Sequence, residues 1–232
     1  MGAVFEKEFR QYASSMMGAI FLAAFFALTG YYFVIGNLYS QNGDISTLFT
    51  SVLMMSMFLC PALTMRLLAE EKKMGTDQML FTAPVSLFDV VLGKFLACWC
   101  FFLCASLVIV LDIAILAAYG CFQPLVAIGN LVGLWLSGAA FLAIGMFLSS
   151  LTENQLVAAI LTYSILLGLW LLDFLQSYLS NPILLGSVRY LSYRQHYAEL
   201  SSGIFSLSTF VYCVGVCLLF LALTVLRLKR EH

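Results

Sequence analysis

Residues 90–118 read VVLGKFLACWCFFLCASLVIVLDIAILAA, an apolar run whose only charged members are Lys94 and Asp112. About 20 apolar residues in a helix cross the hydrocarbon of a bilayer. This run exceeds that length, and it is far too long for a strand. Outward from it, further apolar runs stand at 16–38, 46–68, 125–150, 154–175 and 204–227. The pattern predicts an all-α, polytopic integral membrane protein with six transmembrane helices forming a single domain over 1–232. Composition agrees: 62% of residues are apolar, 10% are charged and the mean hydropathy is +0.99, where a soluble domain carries about 25% charged residues. Spans of about 21 residues use more than half the chain, which excludes a soluble domain of ordinary size. The 15% aromatic content excludes disorder. A net charge of −1 with scattered basic residues excludes a nucleic-acid partner.

The charges orient the spans. Lys7, Arg10, Arg66, Lys72, Lys73, Lys94, Arg227, Lys229 and Arg230 fall on the side of the two termini, and only Arg189 and Arg194 fall opposite. By the positive-inside rule both termini are expected in the cytoplasm, in a multi-pass protein of the cell (inner) membrane. Tyr39-Ser40-Gln41-Asn42-Gly43-Asp44 is a turn cluster on the outer side. Residues 1–12 set Val4, Phe5, Phe9 and Tyr12 against Glu6, Lys7, Glu8 and Arg10, a pattern expected of a short interfacial helix. A frayed charged tail is the alternative. The first span is too long for a signal-peptide core and is expected to stay as an anchor. Of seven cysteines, Cys60, Cys98, Cys100, Cys104, Cys213 and Cys217 lie inside apolar runs and Cys121 near a span end. They read as small apolar packing residues; no metal site is expected.

The connection between the second and third spans is the most informative. The second helix is expected to continue through Glu70 to Lys73, and Gly75 can end it in a left-handed conformation. Thr76 is a suitable N-cap with Asp77 in the first turn, so a short helix presenting Met79, Leu80 and Phe81 should follow. Pro84 disfavours helix at Ala83, and Ser86 with Asp89 fits a capping box that starts the third span. Such a helix suits a groove on a partner protein, or it lies on the headgroups as an anchor.

These residues carry a resemblance. Arg66-Leu67-Leu68-Ala69-Glu70-Glu71-Lys72-Lys73, Gly75-Thr76, Leu80-Phe81-Thr82-Ala83-Pro84-Val85-Ser86 and Leu92-Gly93-Lys94-Phe95 resemble the signature of ABC-2 type transporter permeases. The pattern is similar to the compact, six-span, gliding-motility-type members. Residues 145–155 and, more weakly, 191–203 extend the likeness over nearly the whole chain. The resemblance implies a type V exporter-like fold, pairing with a second permease copy or homologue, and two cytoplasmic ATP-binding cassette subunits. In such proteins the short helix is a cytoplasmic coupling helix. Carried over, this assigns contact with the ATPase to Glu70, Glu71, Gly75, Thr76, Asp77, Gln78 and Leu80, with Met79 on the same apolar face. An extracytoplasmic accessory protein is also implied.

This chain is expected to bind no cofactor, with ATP and magnesium held by the partner. It lacks a G-x-x-x-x-G-K-[ST] run: before Gly93-Lys94, Phe88 stands where the first glycine belongs, and Phe95 follows where Ser or Thr would hold magnesium. It is therefore not expected to be an enzyme in its own right. Thr152 and Gln155 fit a capping box that places Glu153 on the cytoplasmic face, where it serves capping alone or a second ATPase contact. Asp112 and Asp173 are acids within apolar runs, candidates for a pathway or for an interfacial role near the outer ends of their helices. Near those ends, water, Tyr119 or Tyr178 are within reach. Gly129, Gly133, Gly138 and Gly145 on the fourth span allow close helix approach, within the subunit or across a dimer. Residues 176–203 read as two amphipathic or re-entrant helices, an external gate in the resembled family. There, His196 reads as an interfacial hydrogen-bonding residue.

Three functions fit to different degrees. A permease subunit of an ATP-driven transporter, expected to export, absorbs the motifs at 66–95 and 145–155. A membrane-embedded enzyme lacks catalytic groups that meet: Glu70-Glu71 has no suitable basic partner three residues beyond, and His196 falls on the opposite face. An ion-coupled secondary carrier using Asp112 and Asp173 would predict an internal repeat. The apolar, Met-rich spans suit a lipid, a hydrophobic peptide or an amphiphile, and lipid-facing helices share that composition.

Overall fold

The computed structural model describes residues 1–75, 86–120, 123–175, 197 and 207–230, with backbone alone at 172–175. Every element among them is helical: α1 (Gly2–Ser14), α2 (Met16–Phe33, continuing as a π-helix over Val34–Tyr39), α3 (Ser46–Thr64), α4 (Ala69–Met74), α5 (Leu87–Ala118), α6 (Pro124–Ser150), α7 (Gln155–Leu175) and α8 (Leu207–Arg230). Five stretches are long and apolar enough to cross a bilayer: Met16–Tyr39, Ser46–Met74, Leu87–Ala118, Pro124–Ser150 and Leu207–Arg230. Where the fifth span is expected, α7 is apolar over the shorter stretch Gln155–Leu171 and is not among these five.

Helix α5 begins where its capping residues predict. Ser86 Oγ accepts the Asp89 N–H at 3.2 Å and donates to Asp89 Oδ2 at 2.6 Å. Its 32 residues extend about 48 Å, against about 30 Å of hydrocarbon, so α5 projects beyond the apolar layer. Helix α6, with Pro124 in its first turn where a missing N–H is harmless, is the centre of the bundle and packs on α3, α5, α7 and α8. Trp135 Nε1 donates to Ser106 Oγ (2.8 Å) and Trp99 Nε1 to the Trp135 carbonyl (3.1 Å), stitching α5 to α6.

Gly138 and Gly145 of α6 serve packing within the chain. A Cβ on Gly138 would stand 2.3 Å from Phe102 Cε1, and one on Gly145 would stand 2.2 Å from Thr64 Oγ1. Gly145→Ala should therefore push α6 from α3 and lower stability by about 1–3 kcal/mol. Thr64→Ala in the same chain should recover part of the loss. Thermal unfolding in detergent micelles checks this, and a non-additive double mutant is the expected result.

Three expectations are corrected. The second helix does not run unbroken to Lys73. Pro61 inside α3 lacks an N–H, α3 ends at Thr64, and Met65–Leu68 form a turn before α4. The N-terminal helix ends at Ser14 rather than residue 12 and packs against α5 with Glu8 buried. Helix α7 is capped by Asn154, not Thr152. Asn154 Oδ1 accepts the Leu156 N–H at 3.0 Å while Thr152 Oγ1 accepts the Asn154 N–H at 3.1 Å, so Gln155 is the first helical residue. The turn cluster after α2 forms as expected: Asn37 Nδ2 donates to the carbonyls of Asn42 (2.9 Å) and Asp44 (3.0 Å).

Candidate functional site

The charged residues from Arg66 to Lys73 converge with three other elements at one end of the bundle. Lys94, seven residues into α5, is 2% exposed. Its ammonium donates to Glu71 Oε1 at 2.7 Å, Glu8 Oε1 at 2.9 Å and the Leu67 carbonyl at 3.2 Å. A lysine ammonium has three N–H donors, so every one is used. One cation thus ties α1, the turn before α4, α4 itself and α5 together.

The turn is held from α6. Ser149 Oγ, fully buried, accepts the N–H groups of Leu68 (3.2 Å) and Ala69 (3.1 Å) and donates to the Met65 carbonyl (3.2 Å). These groups lost their helical partners when α3 ended, and a buried unpaired backbone group is costly. Lys72 Nζ donates to the Ser150 carbonyl at 2.6 Å. Arg66 grips Glu70 with two parallel bonds, Nε to Oε2 at 2.6 Å and Nη2 to Oε1 at 2.9 Å, the fork geometry that fixes orientation as well as charge. Tyr12 Oη donates to the Leu63 carbonyl at 2.9 Å, adding a second tie to α1. Gly75 then ends α4 with φ 64°, the left-handed conformation its lack of a Cβ allows.

Of the residues singled out in the sequence, Glu70, Glu71 and Gly75 belong to this cluster. Glu70 pairs with Arg66 and Glu71 with Lys94, so both acids brace α4. Thr76, Asp77, Gln78, Met79 and Leu80 lie outside the described residues, as do His196 and the helices expected between 176 and 203. Glu153 is exposed in the turn that follows α6, three residues beyond Ser150. Asp112 is remote from the cluster and buried, 7% exposed, with no hydrogen-bond partner on Oδ2. No hydrogen bond joins its Oδ2 to Tyr119. Asp173 falls in α7, and its side chain lies outside the described residues.

Sequence reasoning missed Glu8, Lys94, Ser149 and Ser150 as members of the site. A signal existed for the first two. Val4, Glu8 and Tyr12 share one helix face at spacing four, so an acid stood on the apolar face of α1. Lys94 stood inside a span. Each needed a buried partner of opposite sign. Nothing local marked Ser149. Among the described residues no group of three His, Cys, Asp or Glu side chains is placed to hold a metal. Cys60, Cys98 and Cys213 are buried free thiols.

The arrangement is a junction in which Arg66 pairs with Glu70 and Lys94 with Glu8 and Glu71. These bonds tie α4 and the turn before it to α1, α5 and α6, and breaking them would leave a buried charge or an orphan amide in apolar surroundings. Comparison with known sequences agrees in extent. The family model described as ABC-2 family transporter protein matches residues 2–232. No curated protein matches the chain.

Proposed function

We propose, on the premise that the chain belongs to the ABC-2 family of transporter proteins, that it is a six-span permease of the gliding-motility type, exporting its substrate under the drive of separate ATPases. The family consists of membrane subunits of ABC transporters, which normally work with ATP-binding cassette proteins. In the proposed assembly two such cytoplasmic subunits supply ATP and magnesium. A second permease copy or homologue completes the pathway, an extracytoplasmic accessory protein joins on the outer side, and both termini are cytoplasmic.

The observation that carries this reading is the ammonium of Lys94, bonded at once to Glu71, Glu8 and the Leu67 carbonyl. Residues 76–80 follow α4 directly. A push on them from a closing nucleotide dimer would enter α4 and pass through Lys94 to α1 and α5, and through Ser149 and Lys72 to α6. The spans would respond as a two-state bundle, and ATP drives the change because the ATPase holds one state more tightly. Glu153, exposed beside the same junction, supplies a second contact.

Replacing Leu80 with Asp puts a charge on the apolar face of the proposed coupling helix. The expected result is at least about tenfold weaker association with the ATPase subunit, about 1.4 kcal/mol, with the melting temperature of the permease unchanged. Co-purification and ATP turnover of the reconstituted complex measure it. Full association and substrate-stimulated turnover in the Leu80→Asp complex would refute this docking face.

A further inference from the structure

We propose that α3 is hinged at Pro61, and that the hydroxyl of Tyr163 on α7 anchors one side of the hinge. Among the described helices α3 alone carries a proline in its interior; Pro124 stands in the first turn of α6. Proline has no N–H, so the Met57 carbonyl four residues earlier has no helical donor, and the ring crowds that carbonyl. Sharp kinks sit at such positions. In an apolar bundle, the backbone groups a proline frees are met by side chains and neighbouring helices.

Two hydroxyls gather at this turn. Tyr163 Oη donates to the Phe58 carbonyl at 2.5 Å, across 105 residues of sequence. The rings of Phe58 and Tyr163 lie 6.1 Å apart at 40°, so α7 holds α3 by backbone and side chain at one place. On the other side of Pro61, Thr64 Oγ1 shares its proton between the carbonyls of Cys60 (3.2 Å) and Pro61 (3.3 Å). A hydroxyl turned back on its own helix in this way bends it.

The two sides of Pro61 are fastened to different partners. After it, Met65–Leu68 and α4 are tied to α1, α5 and α6 through Lys94, Ser149 and Lys72. Before it, the Tyr163 bond pins α3 to α7 three residues short of the proline. Bending at Pro61 lets the section 62–74 change direction with the junction while the section 46–57 keeps its place against α7. Releasing the tyrosine hydroxyl into an apolar layer is costly, so the anchor stays closed as the hinge bends. Phe58 is half exposed, so the contact lies at the surface of the bundle and its loss opens no core cavity. This inference does not depend on residues 76–80 or on any ATPase.

The test is double electron–electron resonance on the full chain in lipid nanodiscs. Nitroxides are attached to ketone-bearing residues at positions 50 and 74, which leaves every cysteine in place. Thr50 and Met74 are both exposed and lie on either side of Pro61. A change of about 20° in the kink, on an arm of about 20 Å, moves Met74 by about 7 Å. Pro61→Ala restores the missing N–H and should narrow the wild-type distance distribution. Tyr163→Phe should widen it and add a population displaced by several ångströms. In the double variant Pro61→Ala/Tyr163→Phe the widening should vanish, because a continuous ladder no longer relies on the anchor; a loss of packing alone would leave it in place. A Pro61→Ala distribution identical to wild type would overturn the hinge. A Tyr163→Phe distribution identical to wild type, or widening that persists in the double variant, would overturn the anchor.

Discussion

Lys94→Met lowers the stability of the permease by about 3–5 kcal/mol, the range for removing one partner from a buried ion pair. Methionine matches the length of the lysine stem, so little volume changes, but it leaves the carboxylates of Glu8 and Glu71 without the cation that both contact, at 2.9 and 2.7 Å. Two like charges then face one apolar space, and the Leu67 carbonyl loses its donor as well. The expected hierarchy is specific. Glu8→Gln and Glu71→Gln each cost less than Lys94→Met, because an amide oxygen still accepts from the ammonium. Replacing all three charged residues with methionine should recover much of the loss, since an apolar cluster of similar volume often equals a buried ion pair in stability. Thermal unfolding in micelles orders the four variants. If Lys94→Met melts with the wild type, the ammonium does not hold the junction.

Ser149→Ala should loosen the turn at Met65–Leu68 more than its single lost hydroxyl implies. That hydroxyl is the partner of the Leu68 and Ala69 amides and of the Met65 carbonyl. Its site is fully buried, and each orphaned group costs about 1–3 kcal/mol. Relaxation of the turn can recover some of this only by separating α4 from α6. The change should therefore appear as faster hydrogen exchange in the peptide that covers residues 65–69, with slower exchange preserved at the core of α6. Unchanged protection at Leu68 and Ala69 would mean that the turn holds itself. Together with the Lys94 series, the result separates the ties of Lys94 to α1 and α5 from the Ser149 hydroxyl that, beside the Lys72–Ser150 bond, joins the turn to α6. In a transporter moved by its partner, loss of either should reduce substrate movement while leaving association with the ATPase intact, the opposite of the pattern expected for Leu80→Asp.

A long helix interrupted just before its charged tail also has a mechanical meaning. Had α3 continued to Met74, its inner end would have been one lever with the span. The break lets α4 take its direction from Lys94 and Ser149 instead. The short element leading toward 76–80 therefore answers to three other helices as well as to its own span. Arg66, in the turn, is bonded to Glu70 of α4 and ties the two together along the original helix direction. The exposed Glu153 adds an acid beside the junction that no described contact consumes in bracing, in contrast to Glu70 and Glu71.

The long apolar runs, the start of α5 at Ser86 and the stop at Gly75 were legible because each is decided within a turn or two of the residue itself. Hydropathy over about 20 residues selects a membrane helix, a serine hydroxyl reaches the amide three residues on, and glycine alone enters the left-handed region cheaply. The same local chemistry misled at Thr152, where Asn154 is an equally good cap two residues later, and at Lys73, where propensity favours helix straight through Met65–Leu68. Only the packed chain decided the rest. Ser149 lies 80 residues from the amide of Ala69 that it satisfies, and Glu8 lies 86 from Lys94. Asp112 is largely buried, with no partner for Oδ2. The reason is that a buried charge or orphan amide states a need without naming its partner. Which group meets that need depends on what tertiary packing sets opposite it.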